Sequence, residues 1–495
     1  MTVKSESCPR PFSRGNVDDH TYPVHLLDGA KYQHCILTLF IRFNDVLDSE
    51  KIRRSLHHLL SIGDWKKLGG RFRTKVDLCG EPEGSSSRLE IHVPREYTAM
   101  RPPMQFDAEE YHMSIYDHAL GQNLPSTSND EVMLSPPLDQ LRQCGISPGF
   151  PLTMEDLIDK DVPQLAFKTI SFTDATLLAV TFSHCTWDIS GLQGFMKSLE
   201  LVIDGREDEV PVMLGAKDDI LAEIASLNKD SFSPLASLRV ASPMAKDRQL
   251  RMPNMALEER VLKVPLHIFE RLQKHFTMRG LGEEYETLSL QQPDELFMAL
   301  ILQQVALAQS SPRPLHILNI YNARLIMPRI ATAKGVYSQN LVLLSPLLVS
   351  HATATGPVGP IALAQRDCFA NSAVPENIMR SLGTALGAIK ADLDITSLTD
   401  AADADPILVN NLVKLSSYIE VDLSAAVIRQ GENTRTRRNG LGTADLCFLT
   451  LPGNSYGMMR VTTVGSYNGK ACWIFGELPP RAWDGICAAF DELDV

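Results

Sequence analysis

Apolar residues recur along this chain with two periods, and the switches between them mark out elements. Residues 35–43 (CILTLFIRF) are rich in Ile, Leu and Phe and predict a strand. Over 49–62, Ile52, Leu56, Leu59 and Leu60 fall at helical spacing, with Ser49 as the expected cap. Segments 81–87 and 124–137 are loops by composition. Residues 165–172 (LAFKTISF) and 176–183 (TLLAVTFS) are both strand-like, and only Thr173, Asp174 and Ala175 separate them, so a hairpin is expected. A helix follows over 191–203, because Leu192, Phe195, Met196, Leu199, Val202 and Ile203 repeat at three and four residues and Gly205 supplies a stop.

Periodicity then fades from 206 to 257, apart from one helix at 218–227, and this stretch reads as a connection between two halves. A short strand is expected at 260–264, a helix opened by Pro265 through 276, and a longer apolar helix at 293–309. Buried strands follow at 315–321 and 341–344, a loop at 351–360 (HATATGPVGP), and a strand pair at 458–464 and 470–476. A last helix, 480–493, carries Trp483, Ile486, Cys487, Phe490 and Leu493 on one face. Strands and helices mix in both halves without regular βα alternation. The pattern predicts an α+β fold in layers, not a doubly wound sheet. There is no short repeat, no GxGxxG and no GxxxxGK[ST].

A chain of 495 residues is too long for one core, so at least two domains are expected. With 47 Lys plus Arg against 60 Asp plus Glu, the net charge of −13 repels phosphate backbones and argues against a nucleic-acid partner. The nine cysteines are odd in number and scattered, with no CxxC, which argues against a disulfide framework or a zinc site and suits a reducing compartment. Residues 1–18 are polar, and no apolar run reaches the roughly 18 residues needed to span a bilayer, so a cytoplasmic protein without a membrane partner is expected.

The sharpest candidate chemistry is His184-Cys185-Thr186-Trp187-Asp188, followed by Gly191. HxxxD alone carries little weight in a chain with 13 histidines. Its context carries more. Leu178, Val180 and Phe182 share one strand face, and His184 continues it, so an ionisable ring ends an apolar stripe just before a helix. Desolvation there favours the neutral imidazole, which can take a proton from a hydroxyl attacking a carbonyl. The structural alternative is a core histidine bonded to a backbone carbonyl, with Asp188 capping the helix. Cys185, the neighbouring nucleophile type, points to the opposite face of the strand. His57 and His58 lie on a surface helix with no partner spaced for a metal.

The stretch SFTDATLLAVTFSHCTWDISG resembles the hairpin and HxxxDG region of the BAHD acyltransferases, in the divergent form of fungal secondary metabolism. The resemblance runs in register over nearly the whole chain. SLQQPDELFMA, with Asp294, resembles the family's Asp-bearing helix. Tyr321-Asn322-Ala323-Arg324 resembles the segment that supplies an arginine. Tyr337-Ser338-Gln339-Asn340 resembles the Y-x-G-N element, and Asp422-Leu423-Ser424-Ala425-Ala426 falls where DFGWG lies. Departures are Ile189 in place of the motif's glycine, a DFGWG counterpart that keeps only Asp422, and Leu412 or a neighbour where a tryptophan is expected.

The resemblance implies two chloramphenicol-acetyltransferase-like domains, here 1–205 and 259–495 joined by 206–258, with an active-site channel between them. Acyl-CoA, a co-substrate and not a tightly held cofactor, and a small-molecule acceptor would enter from opposite faces and meet at His184. No metal is implied, and Asp188 would turn from the substrate to pair with Arg324. Channel candidates are Trp187, Asn340, Ser416 and Ser417, the two serines also standing in for an oxyanion donor the motifs do not identify. Arg435, Arg437 and Arg438, beside Arg429, form a basic cluster that either meets CoA phosphates or is a solvated loop. The implied activity is O-acylation of a terpenoid, polyketide or alkaloid by a monomeric enzyme. The alternatives are a stand-alone condensation-type enzyme with a carrier-protein donor, against which Ser183 stands where that class has a second histidine, and a non-catalytic binding shell.

Overall fold

A computed structural model describes residues 18–75, 89–124, 131–227, 256–278, 293–390, 403–412, 420–431, 439–451, 458–465 and 471–494. Strands and helices are layered around two large sheets, so the mixed two-layer fold expected from the sequence is present.

The first sheet runs in the order Ala444–Thr450, Ile36–Phe43, Thr176–Ser183, Leu165–Ser171, Gln105–Glu110. Its centre is the antiparallel hairpin, with Leu165 opposite Phe182 and Ser171 opposite Thr176. The alternation fixes this register. Leu178, Val180 and Phe182 pack with Leu37, Leu39 and Ile41 against the helices Ser49–Leu59 and Ile189–Ile203. Each such side chain contributes about 1.5–3 kcal/mol when fully buried, and a one-residue slip would turn the whole set away from the core. The first helix is capped by Asp48 and not by Ser49, since the Asp48 carboxylate accepts from the Lys51 N–H at 2.9 Å. The second helix stops at Gly205, which adopts a positive φ of 74°.

The second sheet runs Val342–Val349, Leu315–Asn322, Asp405–Leu412, Met459–Gly465, Ala471–Leu478, Glu258–Pro265, Met133–Leu134. Leu315–Asn322, Asp405–Leu412 and Met459–Gly465 pair in parallel, and the remaining pairs are antiparallel. Phe297, Leu302, Trp483 and Phe490 anchor the helices Pro293–Leu307 and Pro480–Asp494 against it. A third apolar cluster lies between the sheets, where Phe40, Leu177, Ala179 and Phe448 meet Val261, Leu412, Val464, Trp473 and Phe475.

Each half of the chain lends a strand to the other's sheet. Ala444–Thr450 pairs with Ile36–Phe43, and Met133–Leu134 pairs with Glu258–Pro265. A division at 205 and 259 does not capture this exchange. The loop expected at 351–360 is also replaced, by the helices His351–Ala354 and Val358–Ser372. Ser350 caps the first, and Pro360 sits in the first turn of the second, where no N–H is required. Among the described residues no helix is long and apolar enough to cross a membrane.

Candidate active site

His184 is the residue after the strand Thr176–Ser183, and its position is set by backbone before side chains enter. Its N–H donates to the Cys35 carbonyl at 2.9 Å, extending the sheet by one more bond. The chain then turns: Thr186 N–H returns to the Ser183 carbonyl at 2.9 Å, and the Thr186 hydroxyl donates to Gln164 Oε1 at 3.0 Å. Asp188 closes the turn by capping the next helix, accepting from the Gly191 N–H at 2.9 Å.

The other oxygen of Asp188 faces the second half of the chain. It accepts from Arg324 Nη1 at 2.7 Å and from the Leu341 N–H at 2.9 Å. The Arg324 guanidinium also donates to the carbonyls of Tyr337 and Gln339, both at 2.7 Å. Asn340 works from behind: its Nδ2 donates to the His184 carbonyl at 2.9 Å and to Asp28 at 2.8 Å. The segment 337–341 therefore grips the histidine turn from outside the first sheet. Gly191 is what lets it approach, since a Cβ there would lie 2.1 Å from the Ser338 carbonyl oxygen. The glycine two positions later than in the family motif thus has a steric reason.

The His184 ring is half-buried, and its open side faces a cavity of about 110 Å³. The wall is largely apolar, with Leu37, Phe182, Trp187 and Leu192 on the histidine side and Leu408, Val461 and Phe475 on the side of the second sheet. Among the described residues its Nδ1 has no hydrogen-bond partner of good geometry, which sets it apart from a satisfied core histidine. Burial holds the His184 pKa below the ordinary histidine value, against the pull of its own backbone carbonyl and of the Asp188 carboxylate. The direction of this shift favours the neutral imidazole.

The remaining candidates divide. Trp187 lines the cavity and packs on Phe182 and Phe195 at ring separations of 5.3 and 5.1 Å. Asn340, expected at the channel wall, is fully buried behind the His184 carbonyl instead. Asp422 is exposed and does not line the cavity: its N–H donates to Glu200 and its carboxylate accepts from Ser424 N–H. Cys185 packs into a separate apolar cluster with Ile36, Phe72 and Ala166, and burial pushes its thiol pKa up. Arg429 is exposed on a short strand, Val427–Gln430. Ser416, Ser417, Arg435, Arg437 and Arg438 lie outside the described residues.

Sequence reasoning missed two groups. Asp28, fully enclosed behind His184, has its pKa pushed up to about 7 by burial, and nothing in the local sequence around it signals a partner 312 residues away. On the far wall, Arg460 is ion-paired with Glu259 and lies 3.7 Å from Glu477. These three are cross-strand neighbours, an arrangement that only the register reveals.

No family model matches the chain. Curated fungal proteins do. The O-acetyltransferase PaAT-2 of Phomopsis amygdali is 26% identical over 518 residues, covering 96% of this chain and 98% of its own. The acetyltransferase pyiB of Pyricularia grisea is 26% identical, covering 94% and 92%. Among solved structures, F. graminearum TRI101 complexed with coenzyme A and deoxynivalenol superposes with a TM-score of 0.59 at 13% identity, over 94% of this chain and 96% of that one. The resemblance read from the sequence motifs is thereby supported over the full length of the fold.

Proposed function

We propose that this chain, a BAHD-like acyltransferase of the fungal type, moves an acyl group from coenzyme A to a hydroxyl of a secondary metabolite, with His184 as general base. The observation that carries the reading is the placement of the His184 ring, at the end of its strand, against a largely apolar cavity at the junction of the two sheets, where burial lowers its pKa. The acceptor O–H gives its proton to the imidazole as its oxygen adds to the thioester carbon. The tetrahedral intermediate then collapses: the C–S bond breaks, and the departing thiolate takes the proton back from the imidazolium. The products are an ester and free coenzyme A. Holding both substrates at one ring supplies much of the rate, and the base itself contributes roughly 100- to 10,000-fold.

Asp188 and Arg324 do not touch substrate in this scheme. They fix the turn that aims the ring, and Asn340 fixes its carbonyl. A short donor, acetyl-CoA, is the one the names of the fungal relatives support. A solved neighbour bound to coenzyme A and T-2 mycotoxin supports a hydroxylated terpenoid, polyketide or alkaloid as acceptor.

The test is a panel of acyl-CoAs incubated with hydroxylated fungal metabolites and followed by free-thiol release. Acceptor-dependent release, fastest with acetyl-CoA, is the expected result. No release from any acyl-CoA, with transfer only from a carrier protein, would contradict the donor.

A further inference from the structure

The sequence motifs left the reaction without a group to hold the negative charge that forms on the carbonyl oxygen. The cavity wall opposite His184 contains a pair of residues that fit this role. Asn410 on Asp405–Leu412 and Thr462 on Met459–Gly465 are direct partners across the parallel pairing of those strands. Both side chains line the same cavity as His184. Their neighbours there, Leu408, Val461, Phe475 and Ile320, are apolar.

The polar side chains of the cavity differ in what they already bind. Asp188 is spent on Arg324, Leu341 and Gly191. The Arg460 guanidinium is held by Glu259 and Glu477, so its charge is already balanced by carboxylates. Among the described residues, neither the Asn410 amide nor the Thr462 hydroxyl makes a side-chain hydrogen bond. Two adjacent donors on a mostly apolar wall, both half-exposed and with no side-chain partner among the described residues, can bond a group that enters the cavity.

We infer that the Asn410 side-chain amide, assisted by the Thr462 hydroxyl, donates hydrogen bonds to the thioester carbonyl oxygen and stabilises the oxyanion formed when the acceptor attacks. This rests on the acyltransferase reading above and completes it. The acceptor's proton goes to His184 and the carbonyl π electrons go to the oxygen facing Asn410; when the C–S bond breaks those electrons re-form the carbonyl, and the proton passes from the imidazolium to the departing thiolate. Donors fixed on two strands of a sheet need no rearrangement as charge develops, which is where such groups act most strongly.

The experiment compares wild type with Asn410→Ala, Asn410→Ser and Thr462→Val, measuring two reactions of acetyl-CoA: transfer to the acceptor and slow hydrolysis by water in its absence. Both pass through the same oxyanion. Asn410→Ala is expected to lower kcat for both by about 100-fold or more with KM for acetyl-CoA little changed. Asn410→Ser, which keeps a donor, should recover part of each, and Thr462→Val should fall between. Thermal unfolding of each variant identifies any loss of fold, and the serine variant carries the comparison if alanine is not tolerated. Unchanged kcat in Asn410→Ala overturns the inference while leaving the acyltransferase reading intact. Loss of transfer with hydrolysis unaffected also overturns it and makes Asn410 an acceptor anchor. A wild-type chain inert toward every acyl-CoA would overturn the reading and the inference together.

Discussion

Removing either member of the Asp188–Arg324 pair should destabilise the protein and disable it together, and removing both should cost less than the sum. Asp188 is 3% exposed and Arg324 16%. In Asp188→Ala the guanidinium keeps the Tyr337 and Gln339 carbonyls and Asn322 Oδ1, all neutral acceptors, the Leu341 N–H loses its acceptor, and the helix loses its cap. Breaking a buried pair costs about 3–5 kcal/mol, and a lost cap adds about 1 kcal/mol. In Arg324→Ala the carboxylate retains two backbone donors, so the loss should sit at the low end, about 3 kcal/mol. The double variant leaves no uncompensated charge, and a coupling of about 2 kcal/mol is expected. Urea denaturation of the four proteins measures it. Losses that add to within about 0.5 kcal/mol would refute the reasoning, because contacting partners in one buried network do not add. Asp188→Asn keeps the cap but loses the charge, and it should fall between wild type and Asp188→Ala.

The acid limb of kcat/KM should lie below the ordinary histidine value of about 6.5, because burial disfavours the imidazolium of His184. The sign for stability follows from the same shift: the unfolded chain binds the proton first, so stability contributed by the buried neutral ring is full above the unfolded pKa and falls as pH drops below it. The His25 ring, pushed down to about 4 chiefly by burial, should add to that loss between about pH 6.5 and 4, measurable as the slope of urea midpoints against pH. Gly191→Ala should cost about 1–3 kcal/mol by forcing the Ser338 carbonyl away from the histidine turn, and activity should fall with it; a variant with wild-type stability and rate would show that the close approach is not needed.

Much of this architecture was legible because burial on one face imposes a period. The hairpin ending at Ser183 and the helix Ile189–Ile203 both stand where the two- and three-to-four-residue spacings put them. The helix Val358–Ser372 was hidden because Gly and Pro at its start look like a loop, although both are harmless in a first turn. The strand Ala444–Thr450 went unread despite a strict burial alternation, which Ala444, Leu446 and Phe448 carry. At the site, the motif order named His184, Asp188 and Arg324, and these three do come together. Asn340 was named for the wrong place because the short motif does not say which side of the histidine it occupies. Arg460, Asn410 and Thr462 depend on strand register between distant segments, and Asp28 on a turn packed against Asn340 far along the chain; no local pattern encodes either.

The central claim is that His184 takes the acceptor's proton, and the rate of acetyl transfer by His184→Ala tests it most directly. The account predicts a fall of roughly 100- to 10,000-fold at saturating acetyl-CoA, with the urea midpoint near that of wild type, since the ring's Nδ1 holds no structural bond. A variant that folds and retains most of its turnover would contradict it.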